Sequence, residues 1–420
     1  MPSAFRSVAL LLAVIPASSA QEPFLSLRAA VNAALSNNPE IVAAQKRVEA
    51  MRQRPAQERS LPDPMLSLGY QSNGAPWPGA GLGREPTSNI GLMVSQQFPY
   101  PGKTRLRGQI AAKEAEAEFQ EYENVRLSVI ARVKQAFYRL HHTYEALRVL
   151  DRNGEVLQRL LRITEARYAA GRIPQQDVFN VQTQLSILEG RKMQVVRERR
   201  ARETELNTLT GRPAGTAVPI PEEPHLIPLA ITLEELYAQA REHSPALRRE
   251  EKNIQRAELS LNLARKEFFP DYTLSGGYYN MGAMPDMYMF RADVNVPLRL
   301  FRRRAAVAEQ SQSVLQSRRA YEAAGLSLQM RIRDDYLTAG TSYGLMQLYR
   351  NTVIPQAGLA LESSLASYET GAVDFGAVLN NALMLLEYEM NYHEQMQEFH
   401  LAVTRLEEMS GAEIYHGGKP

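Results

Sequence analysis

Four methionines lie close together in the second half of the chain: Met281, Met284, Met287 and Met289. Thioether sulfur favours Cu(I), so a copper site is one interpretation of this cluster. The other interpretation is apolar packing of a loop and a strand, where methionine is an adaptable filler. We favour packing and predict that the protein holds no resident metal or cofactor.

Two histidine pairs could also contribute metal ligands. His141 and His142 are adjacent, and adjacent residues on a helix point in different directions. His393 and His400 share one face of a predicted helix but lie two turns apart. Neither pair is predicted to form a site.

No pattern in the sequence predicts catalysis. The chain contains no cysteine, which excludes disulfides, thiolate metal sites and a catalytic thiol. Gly79, Gly81 and Gly83 lack the flanking strand and helix of a nucleotide fingerprint, and Walker, G-x-S-x-G and H-E-x-x-H motifs are absent. The net charge of +2 produces no strong field for nucleic acid. We therefore predict a protein that is not an enzyme and does not bind nucleic acid.

A repeat at a spacing of about 200 residues organises the chain. Residues 168–173, YAAGRI, correspond to 368–373, YETGAV, and 27–39 correspond to 233–245. Finding such a repeat must come before any fold assignment. Each copy predicts a helix, two strands, a very long helix, a glycine turn and a medium helix. The predicted division is a first repeat at 21–210, a proline-rich linker at 211–232, a second repeat at 233–410 and a tail at 411–420.

The helices are unusually long. The apolar positions of the first long helix, 103–168, are spaced alternately three and four apart, which is typical of a coiled coil. About 65 residues at 1.5 Å per residue would extend roughly 100 Å. The opening helix is predicted at 25–58 with an interruption at Asn37-Asn38-Pro39. Pro355 predicts a kink or an inserted bulge in the long helix of the second copy.

Period-two alternation predicts β-hairpins at about 63–99 and 270–298. One interpretation is a pair of hairpins packed on helices. The other is a transmembrane β-barrel with lipid outside and water inside. Four strands cannot close a barrel, and open sheet edges are not tolerated in lipid, so several chains would have to share one barrel.

The N-terminus predicts export. Arg6, an apolar stretch at 8–15 and the small residues at 18–20 have the order of a cleavable signal peptide, which we place at 1–20. Because the chain has no cysteine, we expect no lipid-modified N-terminal cysteine and hence no lipoprotein.

Taken together, these features make the chain resemble the TolC-like outer-membrane factors. The resemblance depends on the duplicated plan, the opening LRAAVNAALSNNP at 27–39, and the two Y-x-x-G turns followed by Asp177-Val178 or Ala377-Val378. Residues 97–103, QFPYPGK, also resemble the strand-to-helix junction of the metal-cation efflux branch.

The resemblance implies a mainly α fold with a small β part, built from a duplicated helix–β-hairpin–long helix–helix unit. It implies a homotrimer with a twelve-stranded barrel in the outer-membrane lipid and a helical barrel that crosses the periplasm. Such a channel would passively export heavy-metal cations or drugs, together with a periplasmic adaptor and an inner-membrane transporter of the resistance-nodulation-division type. A type I protein secretion duct and a soluble periplasmic coiled-coil scaffold remain the alternatives.

The resemblance also assigns roles to the two helix–turn–helix tips. The adaptor-docking residues that it implies are Gly171, Arg172, Ile173, Gly371, Ala372 and Val373. Glycine at such a turn also has a local reason, because it accepts the left-handed conformation that ends a helix.

The gate and pore residues implied in the same way are Asp177, Asp374 and Asn380. For Asp177, capping of a helix start is an equally good explanation. Val373, Ala377 and Asn380 depart from the family pattern, which has an arginine and two aspartates at these positions. We therefore expect a gate that is less selective for cations.

Overall fold

The computed structural model describes residues 24–74, 76–412 and 414. The predicted signal peptide at 1–20 lies outside the described residues, as does most of the predicted tail at 411–420. Within the described part, the order of elements is the one that the duplicated plan predicts.

The first repeat holds three short helices, a hairpin and two long helices. In chain order its elements are β1 Phe24–Leu25, α1 Leu27–Asn37, α2 Pro39–Met51, α3 Arg54–Arg59, β2 Met65–Gln71, β3 Asn89–Phe98, α4 Lys103–Ala169 and α5 Gln175–Leu209.

The linker and the second repeat follow the same order. Their elements are β4 Ile220–Pro221, α6 Leu233–His243, α7 Pro245–Lys266, β5 Asp271–Asn280, β6 Met287–Asn295, α8 Leu300–Leu348, a π-helical turn Tyr349–Val353, α9 Ile354–Thr370 and α10 Phe375–Ser410.

The break predicted in the opening helix is confirmed, and a second one follows it. Asn38 separates α1 from α2, because its side-chain oxygen accepts from the Glu40 amide at 2.8 Å. Its side-chain amide donates to the Leu209 carbonyl at 2.9 Å, which ties the break to the end of α5. The helix predicted at 25–58 was wrong in being otherwise continuous, since a turn at 52–53 separates α2 from α3.

Helix α4 is the structural axis of the chain. It has 67 residues, which corresponds to roughly 100 Å. It packs on α1, α2, α3 and α5 of its own repeat and on α7 and α10 of the other. Two apolar clusters mark this packing, one around Val133 and Leu140 and one at the far end around Leu160 and Tyr368.

The bulge predicted near Pro355 is confirmed. The π-helical turn ends two residues before this proline, and the Ile354 amide donates to the Tyr349 carbonyl five residues earlier. Proline has no amide hydrogen to donate, so a wider turn before it prevents a break in the helix.

The four main strands form one antiparallel sheet in the order β2-β3-β5-β6. The hairpins therefore pair with each other through β3 and β5, and β2 and β6 are the sheet edges. A separate short parallel pair joins β1 to β4, which fixes part of the linker against the residues just before α1.

One face of the sheet is apolar and exposed. Leu68 lies opposite Leu92, and Tyr278 lies between Leu92 and Tyr288 in the register. Leu68 is 78% exposed and Phe290 is 88% exposed. These side chains are not packed on helices, so the first interpretation of the alternation was wrong for this chain.

Candidate functional site

The two helical tips are built by the same turn. At the end of α4 the Gly171 amide donates to the Tyr168 carbonyl at 2.8 Å, and the Arg172 amide donates to the Arg167 carbonyl at 2.9 Å. At the end of α9 the amides of Gly371 and Ala372 repeat these two bonds at 3.1 and 2.9 Å. This is a Schellman arrangement, which needs a left-handed residue at the glycine.

Both glycines meet that need, with φ of +69° at Gly171 and +87° at Gly371. The local explanation offered for them is therefore confirmed, whereas their docking role stays a prediction. Arg172 and Ala372 are exposed at the turns, and Ile173 and Val373 are half-buried beside them.

The start of α10 is fixed by Asp374. Its carboxylate accepts from the Ala377 amide at 2.7 Å, which makes it the N-cap of the helix. The next residue, Phe375, is buried and packs near Tyr368, with the ring centroids 6.3 Å apart. Asn380 is exposed one turn further along, where its amide contacts the Met384 sulfur.

Arg167 joins the two tips. Its guanidinium donates to the backbone carbonyl of Tyr368 and lies over the Tyr368 ring at 4.4 Å from the centroid. Tyr368 is only 1% exposed, whereas Tyr168, its counterpart in the first repeat, is 43% exposed. The contact therefore connects α4 of one repeat to α9 of the other with both a charged hydrogen bond and a cation–π contact.

Asp177 lies beside this contact in the first turn of α5. Burial raises the pKa of its carboxyl above the ordinary value, Arg167 opposes that shift, and Asp374 adds to it. The two aspartates predicted as gate residues are thus close enough to repel each other across the tips. Their role in gating is not tested by these contacts and stays a prediction.

Sequence reasoning missed Arg167 and did not single out Tyr368 for a role at the tip. Comparison of the two copies offered a signal, because Arg167 corresponds to Ser367 at the spacing of the tip glycines. A long cation at one tip and a small hydroxyl at the other indicate an asymmetric contact.

The predicted methionine cluster is divided by the hairpin. Met287 and Met289 lie on the face of β6 opposite the apolar one, and Met281 and Met284 lie in the loop before it. The Tyr279 hydroxyl lies 3.8 Å from the Met93 sulfur and 4.0 Å from the Met289 sulfur. Within residues 24–74, 76–412 and 414, no three His, Asp or Glu side chains form a group that could hold a metal.

The strand-to-helix junction at 97–103 is held by a buried cation. Lys103 is 1% exposed, and its Nζ lies 2.9 Å from Asp271 Oδ1 and 3.2 Å from Glu267 Oε2. The same Asp271 oxygen accepts from the Tyr100 amide at 2.7 Å. The base of α4 is therefore fixed to the base of β5, so the sheet and the helices are rigidly connected.

None of the helices within the described residues is both long and apolar enough to cross a bilayer. The family model described as "Outer membrane efflux protein" matches residues 30–212 and 236–412, one segment for each copy of the repeat. The chain belongs to the outer membrane efflux protein family. Members of this family are outer-membrane channels rather than enzymes.

Individual relatives are distant but span nearly the whole chain. The cobalt-zinc-cadmium resistance protein CzcC of Cupriavidus metallidurans is 20% identical over 92% of this chain and 90% of its own length. A structure of the outer-membrane channel OprN has a TM-score of 0.79 at 16% identity, covering 92% of this chain and 90% of that one. A structure of CusC has a TM-score of 0.78 at 15% identity, covering 98% of this chain and 99% of that one. These structures confirm the predicted TolC-like fold class.

Proposed function

We propose that this chain forms a homotrimeric, passive outer-membrane channel that exports heavy-metal cations as the last component of a tripartite efflux system. Its partners would be a periplasmic adaptor and an inner-membrane transporter of the resistance-nodulation-division type. The channel does no chemistry; it provides a water-filled path and a tip that opens.

The open-edged sheet carries this proposal. Its four strands leave β2 and β6 without strand partners along their outer edges among the described residues, and its apolar face is exposed. Unpaired strand edges cannot be exposed to lipid, because each amide or carbonyl without a hydrogen bond costs roughly several kcal/mol of free energy in hydrocarbon. Three copies would supply twelve strands, pair every edge and turn every apolar face toward lipid.

An apolar stripe along α8 supports association of copies at the level of the helices. Exposed side chains follow one another in steps of 11, 4, 7 and 11 residues, which return to about the same side of a helix. They are Leu315, Leu326, Met330, Leu337 and Leu348. Helix α5 adds the exposed Phe179 and Met193, which are 14 residues apart and therefore on about the same side of that helix.

Two observations support metal cations as the exported class. CzcC, which this chain matches over most of its length, is named for cobalt, zinc and cadmium resistance. The QFPYPGK junction at 97–103 resembles that of the metal-cation branch, and here it holds the buried Lys103 contacts. The exposed tip turns are the surface that we assign to the adaptor.

Deletion of the gene tests the proposal. The deletion strain should become several-fold more sensitive to cobalt, zinc or cadmium, and an intact copy should restore resistance. The protein should be recovered from the outer membrane as a trimer that heating dissociates. Sensitivity to hydrophobic drugs alone would contradict the metal assignment, loss of a secreted protein would favour the type I alternative, and a soluble monomer would refute the channel.

A further inference from the structure

Four histidines converge where the two repeats pack on each other. His141 and His142 belong to α4, His393 and His400 belong to α10, and all four line one narrow cavity. Neither histidine pair is predicted to form a site by itself. The packing of α4 on α10 brings the pairs together.

The cluster is buried and short of hydrogen-bond partners. His141 is 4% exposed and His400 is 3% exposed. No protein partner within the described residues reaches Nε2 of His142, Nδ1 of His393 or either ring nitrogen of His400. The His400 ring is held by stacking, at 4.4 Å from the Tyr138 ring and edge-on to Phe399 at 5.4 Å.

The linker covers one side of the cluster. His141 and His393 line a second cavity of about 480 Å³, together with Pro224, His225 and Leu226 of the linker. A movement or a change of charge at the histidines would therefore alter the contacts of the segment that joins the two repeats.

Charged groups surround the cluster, but the nearest acid already has a partner. Glu145 lies 3.5 Å from His141 Nε2 and is also paired with Arg148. The Lys134–Glu407 pair, at 2.7 Å, lies on the side of Tyr138. The other charged and titratable groups that face the cluster come from α4, α5, the linker, the π-helical turn and α10, and they are Arg152, Glu198, Glu223, Arg350, Glu389, Tyr392 and Glu394.

Burial is the main reason why these imidazoles resist protonation. It lowers the pKa of His141, His393 and His400 to about 4, with Arg148 and the neighbouring histidines adding to the effect. Burial also lowers the pKa of His142, although Glu198 and Glu394 oppose the shift. At neutral pH the cluster is therefore uncharged.

We propose that this histidine cluster is an acid-sensitive joint between the two repeats. Uncharged, it holds α4 against α10; protonated, it separates them and frees the linker segment that covers it. Helices α4 and α10 continue from the joint to the tips, so the separation would weaken the Arg167 contact. That last consequence rests on the proposed channel function, whereas the separation itself does not.

The direction of the pH effect follows from the pKa values. An imidazole exposed by separation regains an ordinary pKa near ~6.5, above the packed value of about 4. The packed state therefore has its full stability above a pH of ~6.5 and loses stability as the pH falls toward 4. Each such histidine multiplies the separation constant roughly tenfold per pH unit, so three together give up to about a thousandfold.

Hydrogen exchange of the full-length protein in detergent tests the joint. After correction for intrinsic exchange rates, backbone protection of residues 136–146 and 393–404 should fall at least about 100-fold between pH 7.5 and 5.0. A triple variant, His141→Gln, His393→Gln and His400→Phe, should lose most of this dependence and keep only the smaller part due to His142, whose pKa burial also lowers. The phenyl ring keeps the stack on Tyr138. His243→Gln is the control, since His243 is exposed at the end of α6 and should leave the dependence unchanged.

Three outcomes would overturn the proposal. They are unchanged protection at pH 5.0, a loss in the triple variant as large as that of the unsubstituted protein, or protection that responds to added Zn²⁺ at pH 7.5 but not to pH. If the triple variant does not fold, His400→Phe alone is the test. It should reduce the slope of the logarithm of backbone protection against pH by about one proton. An unchanged slope in that variant would also refute the joint.

Discussion

Among single residues, Arg167 makes the contact that most clearly distinguishes the two tips. It bonds the Tyr368 carbonyl and covers the Tyr368 ring, and its counterpart Ser367 is too short to do either. A charged hydrogen bond and a cation–π contact together contribute about 2 kcal/mol. Arg167→Met should shift the tip toward the open form roughly 30-fold, since 1.4 kcal/mol corresponds to about a factor of ten. Single-channel conductance in planar bilayers would detect the shift.

Arg162→Met is the matched control for that experiment. Arg162 is an exposed arginine less than two turns earlier on α4, so its loss removes the same charge without the contact to Tyr368. Arg167→Lys should behave between the two, because lysine keeps the charge but loses the planar fork. Equal conductance of Arg167→Met and Arg162→Met would show that the contact does not hold the tip closed.

Replacement of the two tip glycines should also affect efflux. Both have positive φ, and a β-branched side chain at such a position costs roughly 1–3 kcal/mol. The double variant Gly171→Val, Gly371→Val should abolish efflux while the trimer still forms, because the tips lie roughly 100 Å from the strands. Metal tolerance and trimer recovery of the same strain are the two measurements.

A glycine inside a helix provides the comparison. Gly190 lies in α5, and a Cβ built there has no neighbour within 4 Å. Gly190→Val should therefore leave efflux intact. Normal efflux in the double tip variant would refute the docking role of the turns.

At the scale of elements, sequence patterns predicted what is local and missed what depends on long-range register. The 103–168 helix, the glycine turns and the bulge before Pro355 were predictable because periodicity, glycine and proline act on their own neighbourhood. The Arg167 contact and the histidine cluster were not. Both depend on which turn of α4 faces which turn of α9 or α10, and the residues that meet are more than 200 positions apart in the sequence.

The π-helical turn sets the rotation of everything after it. One residue of an α-helix corresponds to about 100°, so the extra residue in Tyr349–Val353 determines that Leu361, Leu365 and Tyr368 face the core. Deletion of Thr352 should rotate these side chains away and unfold the tip half of α9. Limited proteolysis should then cut α9 readily, while the sheet and α8 stay protected.

Thr352→Ala is the control for the deletion. Thr352 is exposed, so the substitution keeps the residue count and removes only a surface hydroxyl. Cleavage of α9 at the same rate in the deletion and the substitution would mean that the bulge does not set the rotation.

At the scale of the whole molecule, neither repeat is complete by itself. Each contributes two strands to the sheet, and the buried Lys103 contact fixes the base of α4 in one repeat to β5 in the other. Over the residues that the structure describes, the sheet still has two open edges and an exposed apolar face. Further copies of the chain would supply strand partners for both of these edges.

The absence of cysteine allows that closure to be tested directly. A cysteine at Phe290 in edge strand β6, combined in turn with one at Leu66, Leu68 or Tyr70 in edge strand β2, places the two thiols on the same face of the sheet. In a closed barrel of three copies, β6 of one copy pairs with β2 of the next. At least one combination should then form disulfides spontaneously, because paired strands bring Cβ atoms to about 4.5–5.5 Å. Non-reducing gels of outer membranes should show cross-linked dimers and trimers.

Each single-cysteine variant is a control and should remain monomeric on the same gel, because the neighbouring strand carries no thiol with which it could form a disulfide. The contrary outcome is that none of the three combinations gives cross-links in membranes where the protein is trimeric. In that case the copies would associate through their helices while the sheet edges remain unpaired.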